Sequence, residues 1–253
     1  MVLEWGANNT MPCTWAGALC AALKSMGENY TYEQIMGMSG ACYRLAFCEV
    51  WDWSALDALV AFSYDVPLYE AIGYEPVWAC RLEKDERTLE RRRIVADICR
   101  GVPVVAMNLR VAPEWGIITG YSGNGKTLFC RTYFDGDRLN ENKDYLETEN
   151  WPFLIAHFGK KREKPSALAI LSGSLRALAN SFEAPPRDGY FQGEKGYMKW
   201  IEGLQNESIW AADCPPSDLD RRFDVHLSTV YQLVDARRCE NRPRCSSPPY
   251  RTS

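Results

Sequence analysis

Histidine is scarce in this 253-residue chain, with two copies, His157 and His226. None of the ten cysteines forms a C-x-x-C pair. These absences argue against a zinc site of familiar spacing, and no metal or other cofactor is expected. No stretch approaches the roughly 18 apolar residues that a membrane-spanning helix needs, so no membrane association is expected. The opening MVLEWGANNTMP has neither a basic n-region nor an apolar run, and so does not read as a secretory leader. The expectation is a reducing cytoplasm with free thiols, most of them small core residues. The sequons at Asn8, Asn29 and Asn206 then carry no sugar. Positive charge is also thin at the front. Residues 1–80 hold two basic residues, Lys24 and Arg44, against nine acidic ones, a net of −7. With −4 over the whole chain, a nucleic-acid binder is not expected. An acidic front suits a polar or cationic small substrate.

What is present is an ordinary globular mixture, 46% apolar, 25% charged and 12% aromatic, long enough to bury a sizeable core. Trp15, Ala18, Leu19, Ala22, Leu23 and Met26 recur with helical spacing, and Gly27 ends the pattern. Thr31 with Gln34 is a capping-box signature for a short helix ending near Gly37. Ser54 with Asp57 predicts another, carrying Leu56, Leu59 and Val60. Residues 86–100 predict a helix apolar at Leu89, Ile94, Val95, Ile98 and Cys99 and closed by Gly101. The period then shortens. Residues 103–109, 115–121 and 126–134 read as strands, the last two joined by a Ser-Gly-Asn-Gly turn. After a polar stretch the helical period returns in three stripes. The first is Leu168, Leu171, Leu175 and Leu178, and the second is Tyr197, Trp200, Ile201 and Leu204. The third is Leu219, Phe223, Leu227, Val230 and Val234. Helices, then an antiparallel sheet, then helices predict an α+β fold. The expected organisation is a domain over 1–150, a helical section over 151–238 and a disordered tail over 239–253.

The loudest motif is Gly120-Tyr-Ser-Gly-Asn-Gly-Lys-Thr127, which fits the phosphate-binding loop pattern. That loop needs a helix after it, and TLFCRTYF has no helical stripe. A hairpin turn is therefore expected, and no ATPase. Cys13 is the candidate with a mechanism. It follows Pro12 at the start of the first helix, where the dipole and free N–H groups stabilise a thiolate. Asn8 and Asn9 lie upstream as candidate oxyanion donors. The competing reading is a semi-buried structural cysteine. Neither histidine reads as its base: His226 falls beside an apolar stripe, and His157 has no acidic partner at useful spacing.

Four stretches together resemble a known family: ALKSMGENYTYEQIMGMSGACYRLAF; PEWGIITGY with RTYF; GYFQGEKGYMKWIEGL; and DLDRRFDV with DARRC. They are similar to the butirosin biosynthesis protein H family, over about residues 1–238. The resemblance implies a papain-like N-terminal domain followed by a small helical domain. The implied chemistry is acyl transfer, from an acyl carrier protein thioester to a small-molecule amine, and the oligomeric state stays open. Cys13 then occupies the helix-start position of the nucleophile. Glu114 stands where a papain-like histidine is expected, and Ala7 where the glutamine is expected, with Asn8 and Asn9 nearest. Either Glu114 acts as an unusual base, or the chain keeps the fold as an inactive binder of a small molecule, peptide or carrier protein.

Overall fold

The computed structural model describes residues 5, 11–109, 114–135, 146–148 and 151–240. Asn8, Asn9, Pro113 and the chain from 241 onward lie outside the described residues. The fold is α+β. Among the described residues, seven α-helices surround a six-stranded antiparallel sheet, and a separate two-stranded ribbon lies among the later helices.

Helix α1 (Thr14–Ser25) follows the predicted stripe, but it is buried nearly all round, as befits a helix inside the core. Its exit is set by Gly27 at φ +81°. Helix α2 (Tyr32–Ser39) begins at the predicted capping box. Thr31 Oγ1 accepts from the Gln34 amide, and Gln34 Oε1 accepts from the Thr31 amide. The helix runs past Gly37 to a left-handed Gly40. A one-turn 3₁₀ segment (Trp53–Leu56) replaces the helix predicted from Ser54. The local signal is overridden by burial of Asp57, whose carboxylate accepts from the Trp115 indole.

Strands β1 (Ala46–Cys48) and β2 (Tyr74–Cys80) flank helix α3 (Asp65–Ile72), and α4 (Glu86–Cys99) follows. Then come β3 (Val104–Met107), β4 (Trp115–Ser122), β5 (Thr127–Thr132), β6 (Leu146–Thr148) and β7 (Leu154–Lys161). The sheet order is β2-β7-β3-β4-β5-β6. Strand β7 lies between β2 and β3, so the sheet extends past the boundary expected at 150. β3 explains its own sequence: Val105 and Met107 face the α1–α3 side, and Val104 and Ala106 face the α4 side. A strand covered on both faces reads as an unbroken apolar run.

The chain ends in α5 (Ala167–Glu183), β8 (Tyr190–Gln192), α6 (Gly193–Gln205) and α7 (Pro216–Glu240). Here the predicted stripes face inward only in part: Trp200 is buried, and Tyr197 and Val230 pack against its cluster. Leu168, Leu171 and Leu175 of α5 are exposed, as are Ile201 and Leu204 of α6 and Phe223, Leu227 and Val234 of α7. Much of the remaining inward face is small or polar. Ser174, Ala177 and Ser181 let α5 approach α2, where Ser174 Oγ donates to the Gly37 carbonyl. Val225, Thr229, Gln232, Ala236 and Cys239 form the buried face of α7. Cys239, expected to open the tail, belongs to the main core.

Residues 120–127 form a hairpin between β4 and β5, with Gly123, Asn124 and Gly125 all at positive φ. No helix follows, so the phosphate-loop geometry is absent. At Gly125 a Cβ would meet Val95 Cγ2 at 2.8 Å on a φ of +81°. Gly125→Ala should therefore destabilise by about 1–3 kcal/mol in urea unfolding, the cost of a forced left-handed residue. Lys126→Ala should stay within about 0.5 kcal/mol, as for a surface change. Magnesium-ATP should leave the melting temperature of both proteins unchanged.

Candidate functional site

Cys13 sits at the N-cap of α1, as its position after Pro12 predicts, but it is 3% exposed and belongs to the core cluster. Its amide donates to Tyr32 Oη at 2.9 Å, and the Tyr32 hydroxyl donates to Asp235 Oδ2 at 2.6 Å. Burial pushes the thiol above its usual range. Arg44 and the backbone at Ala16 pull it partly back. The expectation of an easily formed thiolate is thus corrected: desolvation outweighs the helix N-terminus.

Glu114 lies at the entry to β4 and is half-buried. Burial raises its carboxyl, with Thr14 and Arg44 opposing. Its Oε2 accepts from Thr14 Oγ1 at 2.6 Å, and Thr14 Oγ1 in turn accepts from the Trp115 amide at 3.3 Å. The glutamate is therefore bonded to the residue after Cys13. It helps fasten the start of α1 to the start of β4.

The group that organises this region is Arg44, which follows the 3₁₀ turn Ala41–Tyr43. It is 4% exposed, and its Nη1 donates to the Leu56 carbonyl at 3.0 Å. Its charge acts on Cys13, Tyr32, Asp57, Glu114 and Asp235. Desolvation raises Asp57 to about 6 despite its bonds to Trp115 and the Leu59 amide, and desolvation likewise raises Asp235. Beside this cluster opens a cavity of about 570 Å³, walled by Pro12, Thr14, Arg44, Glu114, Gln232 and Asp235 among others. That size suits a small organic ligand.

Sequence reasoning missed Arg44, Tyr32, Asp57, Gln232 and Asp235. One signal was available: a lone arginine inside the apolar run ACYRLAF has to be buried or to break the run. Tyr32, Gln232 and Asp235 are polar residues on helices whose inward face only packing decides, and Asp57 follows a 3₁₀ turn.

The histidines stand elsewhere. His226 Nδ1 accepts from the Trp200 indole at 3.2 Å and fixes α7 against α6. His157, on β7, is clamped by two carboxylates of α4, Glu90 at Nε2 and Asp97 at Nδ1. Those acidic partners were not foreseen, because β7 and α4 meet only in the folded sheet. Arg100 pairs with Asp97, which brings the buried group to formal neutrality when the imidazole is charged. Among the described residues no three metal-ligating side chains converge, and no helix is long and apolar enough to cross a membrane. The nine described cysteines are free thiols.

The two carboxylates hold His157 above its usual pKa although burial opposes them. A raised histidine contributes its stability fully below pH about 6.5 and loses it as pH rises through the folded value. His157→Gln should cost about 3–5 kcal/mol at pH 6, as for one partner removed from a buried ionic group. The gap to wild type in thermal unfolding should narrow as the pH is taken to 9.

No family model matches this chain, and no curated protein is similar enough to match it.

Proposed function

We propose that this chain is a papain-like protein, akin to the butirosin biosynthesis protein H family, that binds a small molecule without covalent turnover at Cys13. The observation that carries this reading is the division of labour around the start of α1. Pro12, Thr14 and Glu114 face a cavity of ligand size, while the residue between the first two, Cys13, lies in the core with a raised thiol. A nucleophile needs both access and a thiolate fraction. Glu114, the local candidate for a base, is hydrogen-bonded to Thr14. The bonds that a papain-like enzyme directs at its nucleophile serve here to join α1 to β4.

A second reading has a specific observation in its favour. The Cys13 sulfur lies at the N-terminal turn of α1 and in the field of Arg44, both of which favour thiolate. On that reading Cys13 attacks a carrier-protein thioester or activated amide and passes the acyl group to a small amine. Glu114 would serve as base, and Asn8 and Asn9 as oxyanion donors.

Alkylation separates the two. With iodoacetamide at pH 6.5 and peptide mapping, the exposed Cys80 and Cys99 should label first and Cys13 among the last. Glu114→Gln should leave the Cys13 rate as it is in the wild type. Selective early labelling of Cys13, slowed on the order of 10²-fold by Glu114→Gln, would replace the binding reading with the acyl-transfer one.

A further inference from the structure

Two polar atoms in the wall of the α1 cavity lack partners. Arg44 Nη1 and Gln232 Nε2 both donate to the same acceptor, the Leu56 carbonyl, at 3.0 and 2.7 Å. That leaves Arg44 Nε as a donor and Gln232 Oε1 as an acceptor, each buried and without a hydrogen bond. Among the described residues no carboxylate oxygen comes within 4.0 Å of the Arg44 guanidinium. Two orphaned atoms of opposite kind carry a desolvation cost unless something meets them. Both residues line the cavity.

The charges of that wall are balanced. Arg44 and Arg238 stand against Glu114 and Asp235. A ligand of one sign would unbalance it, whereas a ligand carrying both signs would not. Glu114 Oε2 takes the Thr14 hydroxyl, which leaves its other oxygen, whereas Asp235 takes the Tyr32 hydroxyl at Oδ2 and Arg238 at Oδ1. Beyond the charges the cavity is lined by apolar surface. Tyr231 and Val234 of α7 are both exposed at its margin, with Leu56 and Tyr133 further in.

We propose that this cavity takes an α-amino acid with a large apolar side chain. Arg44 receives the carboxylate, Glu114 and Gln232 Oε1 receive the ammonium, and Tyr231 and Val234 cover the side chain. The proposal rests on the binding reading above and names its ligand class.

The test is calorimetric titration of the full chain with L-phenylalanine, N-acetyl-L-phenylalanine, L-phenylalaninamide and glycine. L-Phenylalanine should bind, and blocking either pole should weaken binding at least about tenfold, the loss of one charge-assisted contact. Glycine should bind weakly or not at all, for want of an apolar body. Arg44 is in the core and its substitution risks the fold, so the ligand series carries the test without it. Tyr231→Ala, a surface change on α7, should weaken L-phenylalanine while leaving the melting temperature of the free protein in place. If the blocked compounds bind as tightly as the amino acid, the zwitterion inference fails and small-molecule binding stands. If L-phenylalanine gives no binding, the inference fails as well. The binding reading itself falls only to early, selective alkylation of Cys13, which no arm of this titration measures.

Discussion

A guanidinium buried in an apolar core has to be compensated, because an isolated charge in low dielectric costs several kcal/mol or more. Arg44 is that group here. Cys13 and Thr14 at the start of α1, Tyr32 on α2, Asp57 after a 3₁₀ turn, Glu114 before β4 and Asp235 on α7 all stand within its influence. Apart from α1 and α2, none of these elements is next to another in sequence. The charge thus supplies one reason for the N-terminal helices, the sheet and the last helix to meet at one place.

The same arrangement explains why the helix N-terminus does not make Cys13 reactive. A thiol gains from a helix dipole when it faces solvent or a cationic cleft. Here Tyr32 and the core enclose it, and the hydrogen-bonding capacity nearby goes to joining elements: the Cys13 amide to Tyr32, Tyr32 to Asp235, Thr14 to Glu114. The polar network stabilises the meeting of α1, α2 and α7, and the cavity lies at its edge.

On the far face of the sheet a second buried ionic group plays a comparable part. His157 on β7 holds Glu90 and Asp97 of α4, so the inward face of that helix is Glu90, Ile94 and Asp97 while Leu89 is exposed. Hydrophobic periodicity reads such a helix with the wrong residues inside. In the C-terminal helices it goes further astray, because α5 and α6 approach their neighbours through Ser, Ala and Gly. Close backbone approach requires small side chains, and large apolar ones such as Leu168, Leu171 and Ile201 are turned outward, while Trp200 stays buried.

What the sequence determined by itself is local. The start of α1 after Pro12, the Thr31–Gln34 capping box and the tight hairpin at 123–125 follow from backbone sterics and short-range hydrogen bonds, which act within a few residues. The α+β class followed from the change of period along the chain. The position of Cys13 at a helix start was legible too, but its burial was not. Tertiary structure alone decided that β7 inserts between β2 and β3, that His157 finds two carboxylates, and that Arg44 gathers its acidic partners beside a cavity. The physical reason is distance along the chain. Desolvation and charge pairing depend on which atoms surround a group, and here those atoms lie as far apart in sequence as Tyr32 and Asp235.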